Sequence, residues 1–166
     1  MTSAGNAVDF GDLSVTRTGA KGVASSTRGV NIGGYDPSNN TTIDYVTIST
    51  LGNAADFGDN STGGSSASGS NSIRGIIASG NSPSNTIGYI TIATQGDSQD
   101  FGDLTRSFSQ GAAMASATRF CAAGGSSSNV IEYVQIMSLG NAIDFGDLTQ
   151  SVSETAGFSN GHGGLG

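Results

Sequence analysis

A nine-residue phrase written four times constrains this chain more than any other feature. Gly5-Asn6-Ala7-Val8-Asp9-Phe10-Gly11-Asp12-Leu13 returns at Gly52–Asn60, Gly96–Leu104 and Gly140–Leu148, which places phenylalanines at 10, 57, 101 and 145. Two other segments keep the same beat. Thr27-Arg28-Gly29-Val30-Asn31-Ile32-Gly33-Gly34 is matched by Ile73-Arg74-Gly75-Ile76-Ile77-Ala78-Ser79-Gly80 and by Thr118-Arg119-Phe120-Cys121-Ala122-Ala123-Gly124-Gly125. Ile43-Asp44-Tyr45-Val46-Thr47-Ile48 is matched by Ile87–Ile92 and Ile131–Ile136. A period of about 45 residues signals an array of supersecondary units, each too small to bury its own apolar face.

Each unit reads as β-strands. The Ile-x-Tyr segment is rich in β-branched and aromatic residues and is too short for an ordinary helix. Ile43 and Tyr45 fall on one face, Val46 and Ile48 on the other. A strand apolar on both faces belongs inside a stack of sheets. The Arg-led segment is a second strand, and its closing Gly pair permits positive φ or close backbone approach. The stretch after each Asp-Phe-Gly-Asp, such as Thr105–Met114, is expected to be a third and more exposed strand. Clusters at Pro37–Asn40, Ser82–Asn85 and Ser126–Asn129 punctuate the units as turns, and no segment reads as a helix.

The expected fold is therefore all-β: one repeat domain over residues 1–166, with units at about 5–51, 52–95 and 96–139 and a partial unit at 140–166. Four copies of the motif and its following strand stand against three of the other two strands, so one half-unit lacks a local partner. Such redundancy closes a ring or pairs with a neighbouring chain. A β-trefoil, a β-prism with pseudo-threefold symmetry and an open stack of units fit the same count.

Gly-Gly ending one strand, Tyr centred in the next and an aromatic about a dozen residues later resemble the kelch repeat, whose units are four-stranded propeller blades. The wording is similar to kelch-like repeat proteins of tailed phages, especially those infecting cyanobacteria. Ile-Asp-Tyr-Val-Thr-Ile, Gly-Asn-Ala-x-Asp-Phe-Gly-Asp-Leu and the closing Ser159–Leu165 carry that similarity across nearly the whole chain. It implies a virion or tail-fibre component, made without a signal peptide and placed in a virion or extracellular assembly. The implied blades are completed by oligomerisation, because propellers use four or more and this chain supplies about three. Implied partners are further copies in an oligomer or filament, other virion proteins and host-surface glycans. A soluble glycan-binding, lectin-like module is the alternative.

Composition narrows the chemistry. With charged residues at 11%, six Lys and Arg in all and a formal charge of −7, a clustered phosphate-binding footprint is missing and nucleic acid is not an expected partner. The opening residues lack a basic start followed by an apolar run, and no stretch is long enough to span a membrane. One Cys allows no internal disulfide, and no Cys/His set suits zinc.

The remaining motifs read as architecture. Asp-Phe-Gly is a protein-kinase signature, but here it occurs four times without the Lys-bearing glycine loop or His-Arg-Asp. Asp9, Phe10, Gly11 and Asp12, with Asp56–Asp59, Asp100–Asp103 and Asp144–Asp147, are expected to form a turn. In it Asp bonds backbone N–H groups, Gly takes a strained φ and Phe anchors the core. The eight motif carboxylates could also serve calcium, although calcium wants about six to eight oxygens. Arg28, Arg74 and Arg119 are expected to pair with a loop Asp or with carbonyls of the next unit, since guanidinium suits both. Tyr45, Tyr89 and Tyr133 are read as core before sugar-stacking surface, and Cys121 as a small core residue aligned with Val30 and Ile76. His162 stands alone, the serines have no base, and no catalytic residue is expected.

Overall fold

A computed structural model describes residues 5–62, 67–79, 84–157 and 159. The described residues contain no helix and form three antiparallel four-stranded sheets. The first contains β1 (Lys21–Ala24), β2 (Arg28–Ile32), β3 (Thr42–Thr47) and β4 (Ala55–Asp59). The second contains β5 (Ala67–Ser70), β6 (Arg74–Ala78), β7 (Ser84–Thr91) and β8 (Gln99–Phe108). The third contains β9 (Ala112–Ala115), β10 (Arg119–Ala123), β11 (Ser128–Gln135) and β12 (Ile143–Val152). In every sheet spatial order follows chain order, so each is a simple meander. The Arg-led strands are β2, β6 and β10, and the Ile-x-Tyr strands are β3, β7 and β11.

Register repeats with the sequence. Val30 faces Tyr45, Ile76 faces Tyr89 and Cys121 faces Tyr133. Positive φ at Gly33, Gly34, Gly124 and Gly125 ends two of the Arg-led strands, and Ser79 (φ 56°) takes the left-handed position in the middle one.

The Asp-Phe-Gly-Asp motif departs from expectation. Its last three copies lie inside β4, β8 and β12, the outer strand of each sheet, and do not form a turn. The glycine serves a β-bulge: pairing slips between Ile43/Asp44, Ile87/Gly88 and Ile131/Glu132, opposite Gly58, Gly102 and Gly146. These glycines have φ between 141° and 143°, a region costly for a residue with a Cβ. Counting the motif as a strand makes four strands per sheet, where reading it as a turn gave three. The sheets are also cut out of phase with the sequence units, because each outer strand is drawn from the following unit.

The core lies between the sheets. Neighbouring residues of β6 point to opposite sides: Ile77 joins Val23, Val30, Ile32, Ile43 and Phe57 of the first sheet, with Ile90 and Ile92. Ile76 joins Phe101, Leu104 and Phe108, and meets Phe120, Val134 and Ile136 of the third sheet. The middle sheet is thus apolar on both faces, as a strand buried on both sides requires.

The two end sheets each leave one face without a neighbouring sheet. Ile48 is 48% exposed where its equivalents Ile92 and Ile136 are 1% and 0%. A cavity of about 520 Å³ lies along that face of the first sheet, bordered by Leu13, Gly29, Asn31 and Val46 and reaching Gly157. On the opposite face of the third sheet, Cys121 is half-buried instead of being a core residue, because no further sheet covers it. The first strands of the sheets also interlock. Ser68 Oγ and Ser70 Oγ donate to the carbonyls of Gly22 and Ala24, both at 3.0 Å. Together with residues 155–157, these strands border a cavity of about 250 Å³.

Candidate functional site

The nine-residue phrase is a two-part fastener. In the first junction, Gly52 N and Ala54 N donate to the carbonyls of Phe10 (2.9 Å) and Asp12 (2.8 Å). Asp12 N donates in return to Asn53 Oδ1 at 3.0 Å. The second junction has Gly96 N on Phe57 O, Ser98 N on Asp59 O and Asp59 N on Asp97 Oδ1 (2.7, 2.8 and 2.9 Å). The third has Gly140 N on Phe101 O, Ala142 N on Asp103 O and Asp103 N on Asn141 Oδ1 (2.9, 2.8 and 3.0 Å). Each of the first three Asp-Phe-Gly-Asp edges therefore receives the Gly-Asn or Gly-Asp half of the next phrase. The glycine is required for closeness as well as for φ, since a Cβ on Gly11, Gly58 or Gly102 would run into the backbone of Gly52, Gly96 or Gly140.

The fourth copy has the same shape, and no described residue occupies it. An added Cβ on Gly146 meets nothing within 4 Å, and among the described residues no backbone N–H bonds Phe145 O or Asp147 O in the way seen at the three junctions. Burial of the ring depends on a neighbouring sheet and not on the junction alone. Phe57 and Phe101 are 2% and 3% exposed, whereas Phe10 and Phe145, at the two ends of the series, are 36% and 56% exposed and do not anchor a core. In the first and last copies Asp caps the local backbone, with Asp9 Oδ1 and Asp144 Oδ1 accepting from Gly11 N and Gly146 N at 3.2 and 3.1 Å.

Behind the motif stands a stack of three side chains. Tyr45, Tyr89 and Tyr133 meet Phe57, Phe101 and Phe145 edge-to-face, with ring centroids 5.9, 5.9 and 5.8 Å apart. Arg28, Arg74 and Arg119 lie over the same tyrosines at 4.6, 4.7 and 4.9 Å. Arg28 Nη1 then donates to Ile92 O at 3.0 Å and Arg74 Nη1 to Ile136 O at 3.2 Å, each reaching the next sheet. Arg119 has no next sheet and is exposed. The tyrosines are half-buried.

Sequence reasoning missed a polar element at each junction. Fully buried Asp44 accepts from Ser14 N (3.1 Å) and Ser14 Oγ (2.6 Å), and pairs with Arg17, whose side chain is also wholly buried. Glu132, equally buried, accepts from Thr105 N and Thr105 Oγ1 at 2.7 Å and lies 3.5 Å from Arg106 Nε. Between them the corresponding position is Gly88, and Ser61 N and Ser98 Oγ form a neutral network with Asn60. A readable signal existed: Asp44 and Glu132 sit in strands otherwise apolar on both faces, where a carboxylate needs a partner.

No group of three or more His, Cys, Asp or Glu side chains converges among the described residues; of the motif carboxylates, Asp9 and Asp144 cap backbone N–H groups and Asp59 accepts from Thr41 Oγ1. Burial pushes the Cys121 thiol above its ordinary value, and the nearby Arg119 charge opposes the rise. A buried thiol held protonated is a poor nucleophile. His162 lies outside the described residues. No protein-family model matches the chain, and no curated protein matches it.

Proposed function

We propose that this protein is a structural or adhesive subunit, a component of a phage virion or extracellular fibre, that assembles through its repeated sheets and presents Ser/Asn/Gly turns outward. The observation that carries the reading is the pair of unpartnered apolar faces. The first sheet exposes Ile48 and the third exposes Ile143 and Phe145, while the positions equivalent to Ile48 and Phe145 within the stack are closed by a neighbouring sheet. Kelch-like propeller blades are the finer architecture proposed. In support, the first strands and residues 155–157 border one inner cavity while the phrase-bearing strands lie at the outer edges. Blades in a propeller share that arrangement.

The proposed partners are further copies of the chain, other virion proteins and host glycans; its proposed place is the virion or an extracellular assembly. Light scattering after size exclusion, with electron microscopy of the same fractions, tests the assembly reading. Rings, filaments or discrete oligomers are expected, and a monomer at all concentrations refutes it. A glycan-binding module is the second reading, favoured by the solvent-exposed Phe145 ring, since open aromatic faces stack on sugars. Array binding lost in Phe145→Ala but kept by a dilute monomer would favour it.

A further inference from the structure

From the three junctions inside the chain, we infer that the fourth Asp-Phe-Gly-Asp edge is a docking site for a second copy, and that its occupant is Gly5-Asn6-Ala7 of that copy. The inference rests on the assembly reading above and adds the surface and the register.

One interface is formed three times with the same atoms: two N–H groups of a Gly-x-Ala/Ser segment on the carbonyls of Phe and Asp, and one Asn or Asp Oδ1 on the returning N–H. Asp144–Asp147 offers Phe145 O, Asp147 N and Asp147 O in the same strand context. It keeps the same bulge and the same edge-to-face tyrosine, with Gly146 at φ 141° holding the space open. Gly5, Asn6 and Ala7 are exposed, and an added Cβ on Gly5 meets nothing within 4 Å. The segment carries the same residue types as Gly52-Asn53-Ala54 and Gly140-Asn141-Ala142.

Docking would set Gly5 N and Ala7 N on Phe145 O and Asp147 O, with Asp147 N donating to Asn6 Oδ1. It would pass an unpaired sheet edge to a partner strand segment and bring the second copy beside Phe145 and Ile143, the exposed apolar pair of that edge. The two patches differ, so the contact is head-to-tail and generates rings or filaments according to the angle between copies. The alternative occupant is the same three residues of the same chain, closing a ring within one molecule.

Two measurements separate these cases. By sedimentation, the wild-type chain is expected to associate with rising concentration. Phe145→Glu should weaken that association at least tenfold, and Ile73→Glu, at an exposed apolar residue away from the edge, should leave it unchanged. Phe145 is exposed, so the charge has no core to disturb.

In a Cys121→Ala background, Asn6→Cys with Asp147→Cys should give disulfide-linked multimers under mild oxidation. Asp12→Cys with Asn53→Cys, at an internal junction, should close within one chain and serves as the control. If the 6/147 pair also closes only within a monomer, the second copy is not the occupant. If the wild type associates and Phe145→Glu does so equally well, this surface is wrong while the assembly reading stands. A wild type that never associates removes both.

Discussion

Truncating one phenylalanine in two copies of the same motif gives the sharpest measure of how far position, as opposed to sequence, sets its worth. Phe101 and Phe145 share the motif, the bulge and a tyrosine partner at nearly the same distance, and differ in burial, 3% against 56% exposed. Removing a buried Phe ring costs about 3–5 kcal/mol because a cavity remains. Phe145 forfeits less than half of a full burial term of about 1.5–3 kcal/mol. Its edge-to-face pair adds about 0.5–1.5 kcal/mol, so Phe145→Ala should cost about 1–2 kcal/mol. The aromatic pair is lost in both variants and largely cancels in the comparison. For a chain of this size 1 kcal/mol moves Tm by about 2–4 °C, so Phe101→Ala should melt roughly 4–12 °C below Phe145→Ala. Calorimetry or circular dichroism at dilute protein, where no second copy covers Phe145, measures the difference. Equal shifts would refute the claim that a neighbouring sheet buries Phe101 and leaves Phe145 open.

Other consequences are testable in the same preparations. Asp44→Ala strands the buried Arg17 guanidinium and should cost about 3–5 kcal/mol, much of it recovered by an added Arg17→Met; urea denaturation of the single and double variants decides this. Gly102→Ala and Gly146→Ala both force a Cβ into a strained φ worth about 1–3 kcal/mol. Only Gly102→Ala also collides with Gly140, so it should be the more damaging of the two, and equal loss would contradict the close approach. Cys121, its thiol raised by burial and lowered by Arg119, should react slowly with iodoacetamide near neutral pH and faster as pH climbs. Arg119→Ala removes the opposing charge and should move the profile to still higher pH; a shift to lower pH would show that the charge does not act as described.

Most of the architecture was legible because the repeat supplies the same statement several times. Arg-led and Ile-x-Tyr patterns became adjacent strands, but the two-sided apolar pattern, read alike in all three copies, did not show that only the second sheet is covered on both faces. The Asp-Phe-Gly-Asp segment was misread as a turn because Gly and Asp are turn formers, whereas here Gly58, Gly102 and Gly146 mark a bulge in an edge strand. The phase of the sheets was hidden for a related reason: a sequence repeat fixes a period but not where each sheet is cut. Cys121 aligns with Val30 and Ile76, yet alignment carries no information on which copy stands last in the stack. The partners of the buried acids also escaped, since Arg17 and Arg106 lie at different distances from their motifs and do not recur.

That irregularity has a physical use. The three rim junctions are nearly identical, so rim bonding alone would let one unit slip onto the wrong neighbour. The buried polar position beneath each rim differs: Asp44 with Arg17, Gly88 beside the Asn60–Ser98 network, Glu132 with Arg106. Sliding by one unit would set Arg17 against Gly88 and leave both a buried guanidinium and a buried carboxylate unpaired, a loss of several kcal/mol each. Register is therefore held by mismatch penalties under a uniform seam. The fourth motif continues as Leu148-Thr149-Gln150, in the place where the third continues as Leu104-Thr105-Arg106. A neutral Gln there demands no buried acid from whatever docks on that edge, and Asp44 of an incoming copy is already held by its own Arg17. The last edge, like the neutral middle junction, therefore holds no ion pair that the proposed docking would have to break.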